Sequence, residues 1–215
     1  MLRPRKNLVQ MKRSKQEAAE TRKRIVETAA TEFRRNGIDG TGLADLMGAA
    51  GLTHGGFYRH FDSKDHLVAE SCAAAVDSVV ESLTSALSKK GKRSGLEAVA
   101  GSYLAKDHRD NSSNGCPFAA LASELVRSDD STRAAATKGF LKLVDIIAAQ
   151  LGGVRPDVAR GQALVVLCTM IGAVTMSRLV TDPELSSAIL RKTEKQLTQS
   201  YQLVRGLPWA STGRT

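Results

Sequence analysis

The sequence predicts an all-α protein of about nine helices, on three observations. Apolar residues recur at three- and four-residue spacings along nearly the whole chain, no window alternates apolar with polar residues as a half-buried strand would, and glycine or proline punctuates the periodic runs. At 215 residues the chain suits a small head joined to a larger helical body.

Taken in order, residues 1–15 carry Arg3, Arg5, Lys6, Lys12, Arg13 and Lys15 and no acidic residue, which predicts a mobile basic arm, with Met11 an alternative start to Met1. The first helix begins near Gln16. Ile25, Ala29 and Phe33 mark its buried face at four-residue steps, and Asn36-Gly37 offers a left-handed stop. Leu43, Leu46, Met47 and Ala50 form one stripe of a short second helix over residues 43–50, with Gly42 as N-cap, Asp45 in the first turn and Gly51 beyond the end. Thr53 is placed to cap a third helix through its hydroxyl, and Phe57 and Phe61, four apart, bury one face of it against Leu46 and Leu52. Ser63 caps a long fourth helix whose stripe Val68, Cys72, Val76, Val79, Val80, Leu83 and Leu87 runs to Lys89-Lys90-Gly91. Helices are further expected over about 96–106, 117–127, 132–151, 156–180 and 183–204, with a polar loop at 107–115, a break at Gly152-Gly153, and Asp182-Pro183 opening the last helix.

The formal charge of +9 is uneven: residues 1–64 hold 13 Lys+Arg against 7 Asp+Glu, an excess of 13 − 7 = +6. A basic end on a near-neutral body suits contact with phosphates at one end, because released counterions reward local positive charge. Cys72, Cys116 and Cys168 are far apart and odd in number, so no disulfide framework is expected. The first ten residues lack the apolar core of a secretory signal, and the apolar run 163–174 is shorter than the roughly 20 residues that span a bilayer. A cytoplasmic protein with no membrane partner is therefore expected. His54, His60, His66 and His108 show no metal-ligand spacing, and neither a nucleophile motif nor a glycine-rich phosphate loop is present, so neither an enzyme nor a cofactor or metal is expected.

Three short helices, the third after a tight Gly51-Leu52-Thr53 turn, form the scaffold that lays a recognition helix in the DNA major groove. The run Thr41-Gly42-Leu43-Ala44-Asp45-Leu46-Met47-Gly48-Ala49-Ala50-Gly51-Leu52-Thr53-His54-Gly55-Gly56-Phe57-Tyr58-Arg59-His60-Phe61-Asp62-Ser63-Lys64 resembles the signature of the TetR family of repressors. The resemblance implies a DNA-binding helix-turn-helix domain over 16–64, an effector-binding and dimerisation domain over 65–205 and a tail over 206–215. It also implies that His54 reads base edges, that Thr53, Tyr58, His60 and Lys64 touch phosphates, and that Thr41, Gly55, Gly56 and Arg59 belong to the DNA-binding set. Two positions depart from the pattern: Gly42 stands where the family usually has Ser or Thr, and Gly56 where it often has a side chain that faces a base. An internal helix glycine costs about 0.8–1.0 kcal/mol relative to Ala, so the recognition helix should be soft and firm up on DNA. The basic arm is a further candidate for the minor groove.

In the body, residues 163–174 are apolar nearly all round, Gly172 and Ala173 permit close helix approach, and Leu185, Ile189, Leu197 and Tyr201 give the last helix its stripe. The resemblance implies an antiparallel four-helix interface between two copies, placing two reading helices roughly 34–36 Å apart on a pseudo-palindromic double-stranded operator. An unidentified small-molecule effector would sit among the fourth to eighth helices. Cys116, after Gly115 and before Pro117, lies at a helix N-terminus where the dipole can favour a thiolate. Residues 115–124 are similar to those of electrophile-responsive members, against a reading of Cys116 as a small packing residue, while Cys72 and Cys168 are expected in the core. The expected function is a DNA-binding transcriptional regulator, a repressor released by a small molecule. The alternatives are a thiol-based electrophile or oxidant sensor through Cys116, and a DNA-binding regulator with no ligand.

Overall fold

The structure, a computed structural model, describes residues 5–205, and the side chains of residues 15–199. Its elements are α1 (Arg5–Asn36), α2 (Leu43–Ala49), a 3-10 helix (His54–Arg59), α3 (Lys64–Ser88), α4 (Gly95–Tyr103), α5 (Lys106–Asp110), a 3-10 turn (Ser112–Asn114), α6 (Pro117–Leu125), α7 (Asp130–Ala148), α8 (Pro156–Leu179) and α9 (Pro183–Arg205). The described residues contain no strand. Among them, nine α-helices match the expected number, but not the expected set.

Residues 5–15, expected to be a mobile arm, are instead the first turns of α1. Between Pro4 and Gly37 the chain has neither glycine nor proline, and its Lys, Arg, Gln, Met and Leu are good helix formers. Residues 1–4, the arm's side chains before Lys15 and the tail at 206–215 lie outside the described residues. The expected loop at 107–115 holds α5 and the 3-10 turn. Tertiary contacts explain this: Arg178 on α8 donates from Nε and Nη2 to the carbonyls of Arg109 and His108, each at 2.9 Å, and so satisfies the open C-terminal end of α5.

α3 is the spine. It runs unbroken for 25 residues, packing first on α1 and then on α7 and α4, so no linker separates head from body at residue 64. The Ser63 hydroxyl accepts the His66 N–H at 3.0 Å, as expected of an N-cap. Val68, Cys72, Val76, Val79 and Leu83 are buried, with Val80 and Leu87 partly so. Gly139 lets α7 lie directly on α3, since a Cβ there would come within 2.9 Å of Val76 Cγ2.

α8 is divided lengthwise. Ala163, Leu167, Met170 and Val174 are buried, whereas Leu164, Val165, Cys168, Gly172, Met176 and Leu179 are exposed. The expectation that Cys168 is in the core therefore fails for the single chain: the helix is apolar on more faces than the body covers. Counted over its 24 residues, α8 is also long and apolar enough to cross a membrane, alone among helices of the described residues; its inner face lies against α6, α7 and α9. On α9, Leu190 is buried, Ile189 and Leu197 pack against the core, and Leu185 is 48% exposed; the Tyr201 side chain lies outside the described residues.

Arg22 ties α1 to α3. Its guanidinium pairs with both carboxylate oxygens of Glu70, at 2.5 Å for Nη2, donates from Nε to the His60 carbonyl at 3.3 Å, and lies 4.4 Å from the centre of the Phe61 ring. The hydrogen bonds and charge of Arg22 hold the Glu70 carboxyl below its ordinary value. A depressed carboxyl lends stability that is full above the unfolded value, near 4.5, and is lost as pH falls through the folded one. Both side chains are about a third exposed, so the contribution should stay within about 1 kcal/mol. Thermal melts below pH ~4.5 should thus show a slightly steeper loss for the native chain than for Arg22→Met; parallel curves would refute this.

Candidate nucleic-acid interface

The head is built from short-range signals. Gly42 caps α2 in extended conformation with no side-chain bond, and Asp45 stands in the first turn. At the other end Gly51 takes φ +70°, its N–H bonds the Gly48 carbonyl and the Leu52 N–H bonds the Met47 carbonyl, both at 2.9 Å. This paired closure turns the chain sharply into the recognition segment. Leu46, Met47, Phe57 and Phe61 then form a core no more than 1% exposed, with the two phenylalanine rings stacked 5.6 Å apart.

The recognition segment is a six-residue 3-10 helix rather than an α-helix. Thr53 stands at its N-cap position but makes no side-chain cap; its carbonyl accepts the Gly56 N–H at 3.0 Å. Two adjacent glycines supply little local stabilisation, and the element is held mainly through the buried Phe57. Neither glycine is demanded by the head itself. Neither has a positive φ, a Cβ on Gly55 would meet nothing within 4 Å, and one on Gly56 would make an ordinary 3.7 Å contact with Met47.

Thr53, His54, Gly55, Tyr58 and Arg59 are exposed, Tyr58 at 65%, and His60, Gly56 and Lys64 are half-buried. The Tyr58 ring stands edge-on to Phe57 at 5.1 Å and to His54 at 6.4 Å, so packing orients it while its hydroxyl faces outward. Two residues of the expected set are engaged inside the head. Thr41 is buried and donates its hydroxyl to the Gly37 carbonyl at 2.6 Å, which turns its side chain into the head and away from the exposed face. Lys64 Nζ donates to the Ile38 carbonyl at 2.5 Å, over the connection from α1 to α2, so a phosphate contact would require it to exchange partners. The described residues contain no His, Cys, Asp or Glu cluster able to hold a metal.

The body grips the head behind this face. Glu124 on α6 accepts the N–H groups of Ile38 and Asp39 at 2.7 and 3.0 Å, Arg34 donates to the Gly115 carbonyl at 3.1 Å, and Arg35 reaches Ser113 at 3.3 Å. None of these partners was singled out from sequence as a head contact, since they join residues 78 to 86 positions apart and leave no local pattern. Cys116 is the N-cap of α6 but is fully buried. Burial pushes its thiol up more strongly than the Tyr103 hydroxyl and the α6 N–H groups draw it down, so the expected reactive thiolate is not the resting form. Nearby, α3, α4 and α5 enclose a cleft of about 350 Å³ lined by Val79, Leu83, Ser102, Tyr103, His108 and Asn111 among others.

Comparison with known proteins gives three findings. A family model described as bacterial regulatory proteins, tetR family, matches residues 25–71, and one described as transcriptional regulator LmrA/YxaF-like, C-terminal domain, matches residues 72–196. The chain is 45% identical over 58 residues to the HTH-type transcriptional regulator TtgR of Pseudomonas putida, covering 27% of this chain and 28% of that one. It is 42% identical over 59 residues to the probable acrEF/envCD operon repressor of Escherichia coli, covering 27% of each. These two matches span little more than a quarter of either relative. The crystal structure of a TetR transcriptional regulator from Chloroflexus aurantiacus is 27% identical, with a TM-score of 0.71 over 87% of this chain and 96% of that chain.

Proposed function

The chain belongs to the TetR family of transcriptional regulators, and on that premise we propose that it is a homodimeric, cytoplasmic repressor that leaves a pseudo-palindromic operator when a small molecule binds its body. The observation that carries the DNA-binding part is the exposed face of Thr53, His54, Tyr58 and Arg59 on a rigid Phe57–Phe61 base, within the most basic third of the chain. His54 is the base reader. Tyr58 and His60 position the phosphate backbone, with Lys64 joining them once released from Ile38. Repression rather than activation is supported by the E. coli relative, a probable operon repressor, whose match covers only the head. Release is supported by the latch of Glu124 and Arg34, through which movement of α6 would reach the head.

Binding-site selection followed by anisotropy titrations tests the assignment. His54→Ala should relax sequence preference at one or two positions of each half-site by about 1–3 kcal/mol, whereas Tyr58→Phe should weaken all sequences nearly alike. Equal weakening across sequences by His54→Ala would remove its reading role. A thiol switch through Cys116 is disfavoured by its burial, and a regulator with no ligand predicts an operator complex that no small molecule dissociates.

A further inference from the structure

His108 joins three helices through one ring. It belongs to α5; its Nε2 accepts the Cys116 N–H at 2.9 Å, at the start of α6, and its Nδ1 donates to the Tyr103 carbonyl, one of the open carbonyls at the end of α4. A donor on one ring nitrogen and an acceptor on the other describe the neutral imidazole in a single tautomer. An imidazolium carries protons on both, and would set an N–H against the Cys116 N–H. The corner pinned in this way is the one that reaches the head: Arg34 of α1 donates to the Gly115 carbonyl at 3.1 Å, and Glu124, further along α6, accepts the Ile38 and Asp39 N–H groups. Space at the corner is short. A Cβ built on Gly115 would lie 2.9 Å from Arg178 Nη2 and 3.2 Å from His108 Nε2, so guanidinium and imidazole meet over this glycine.

The surroundings of the ring oppose a second proton. Burial disfavours the charged form most, the Tyr103 carbonyl partly offsets this, and the Arg178 guanidinium on α8 adds repulsion, so His108 lies below its ordinary value of 6.5. Around the corner, α6 presents the Cys116 thiol, α4 the Tyr103 hydroxyl and α3 the Cys72 thiol, all pushed up by burial and so uncharged, and α1 presents Arg34, a second cation. On α5 itself Asp110 is paired with Arg109 at 2.6 Å, and Lys106 and Asp107 are exposed; α9 contributes the neutral Ser186 hydroxyl, which meets Arg109. The 3-10 turn adds the neutral Asn114. His108 is half-buried and lines the cleft of about 350 Å³, which gives solvent protons access and a displaced ring somewhere to go.

We propose that His108 is an acid-released pin between body and head: a solvent proton on Nε2 breaks the bond to the Cys116 N–H, the ring swings into the cleft, and the freed Gly115–Cys116 corner loosens the Arg34 and Glu124 contacts, so operator binding weakens in acid. The operator part rests on the repressor reading above; the loosening does not. A histidine lowered in the folded state lends stability that is full above its unfolded value, near 6.5, and is lost as pH falls through the folded one, so the pin opens on the acid side of 6.5. Protonation of His54 and His60 acts with the opposite sign, since it adds positive charge to the DNA face.

The test compares the full native chain with His108→Gln, which keeps an acceptor for the Cys116 N–H but takes up no proton, from about pH 7.5 to about pH 5. The chain has four histidines, and the ring-proton NMR signal absent from His108→Gln should titrate with a midpoint below 6.5. Hydrogen exchange read by mass spectrometry, corrected for its intrinsic pH dependence, should show residues 34–41 and 115–119 losing protection by about tenfold in acid, ahead of α7–α9, in the native chain and not in the variant. A midpoint at or above 6.5, protection that holds at 115–119, or the same loss in His108→Gln each overturns the pin. If the variant does not fold, the native exchange profile decides alone, and loss at 115–119 only together with the whole body overturns it. Operator affinity is read separately on a duplex recovered by site selection: a loosened corner with unchanged affinity overturns the DNA consequence, whereas failure to select any duplex overturns the repressor reading and leaves the pin to the exchange result.

Discussion

Val165→Asp is expected to give a folded monomer that has lost tight operator binding. Val165 is 65% exposed and begins a stripe that continues through Cys168, Gly172, Met176 and Leu179 at steps of three and four residues. Leu164 and, on α9, Leu185 extend it sideways. A charge at so exposed a position costs the single chain little. In a two-fold contact of α8 with its copy the same face meets itself, so two carboxylates would be desolvated close together. A monomer engages one half-site only, and specific binding exceeds non-specific binding by about a thousandfold or more. Light scattering after size exclusion should report half the native mass, and anisotropy the loss of affinity; a variant that remains dimeric would move the interface elsewhere.

Phe57→Ala should disable the head even though it touches no surface. Its ring is fully buried, stacks on Phe61 at 5.6 Å and closes on Leu46 and Met47, and it is the only buried side chain of the recognition helix. Truncating a buried phenylalanine costs about 3–5 kcal/mol, a large part of the whole stability of a domain this size. Two glycines beside it cannot take over the contact. Denaturant unfolding should show the loss, and operator binding should disappear at temperatures where the circular dichroism of α7–α9 persists. Retained DNA affinity would mean that the recognition helix is held by something other than this ring.

The sequence was most legible where a structure is decided within a few residues. Gly37 and Gly51 do take positive φ, Ser63 does cap α3, and the Phe57–Phe61 pair does bury one side of the recognition segment. Legibility failed where distant groups decide. The segment around His108 is polar and reads as a loop, yet Arg178 closes it into a helix from 70 residues away. Cys168 reads as core because its helix is apolar on every side, and only packing reveals which side stays bare. Thr41 and Lys64 carry hydroxyl and ammonium groups suited to phosphates, but the carbonyls of Gly37 and Ile38 already engage them. The 3-10 form of the recognition helix is intermediate: its two glycines imply a soft helix, but not the tighter winding that it takes.

Glu124 bears on how such a protein can be recombined. The connection between α1 and α2 has two N–H groups that are met by a carboxylate 85 and 86 residues further along, and the buried Arg34 finds its acceptor 81 residues along at Gly115. A head grafted onto a foreign body would therefore bring unmatched donors to the junction, however faithfully its own core were kept. Chimeras that exchange operator specificity should carry residues 112–124 with the head, because the hydrogen bonds that tie the head to the body come from this stretch and not from the point where the motif ends.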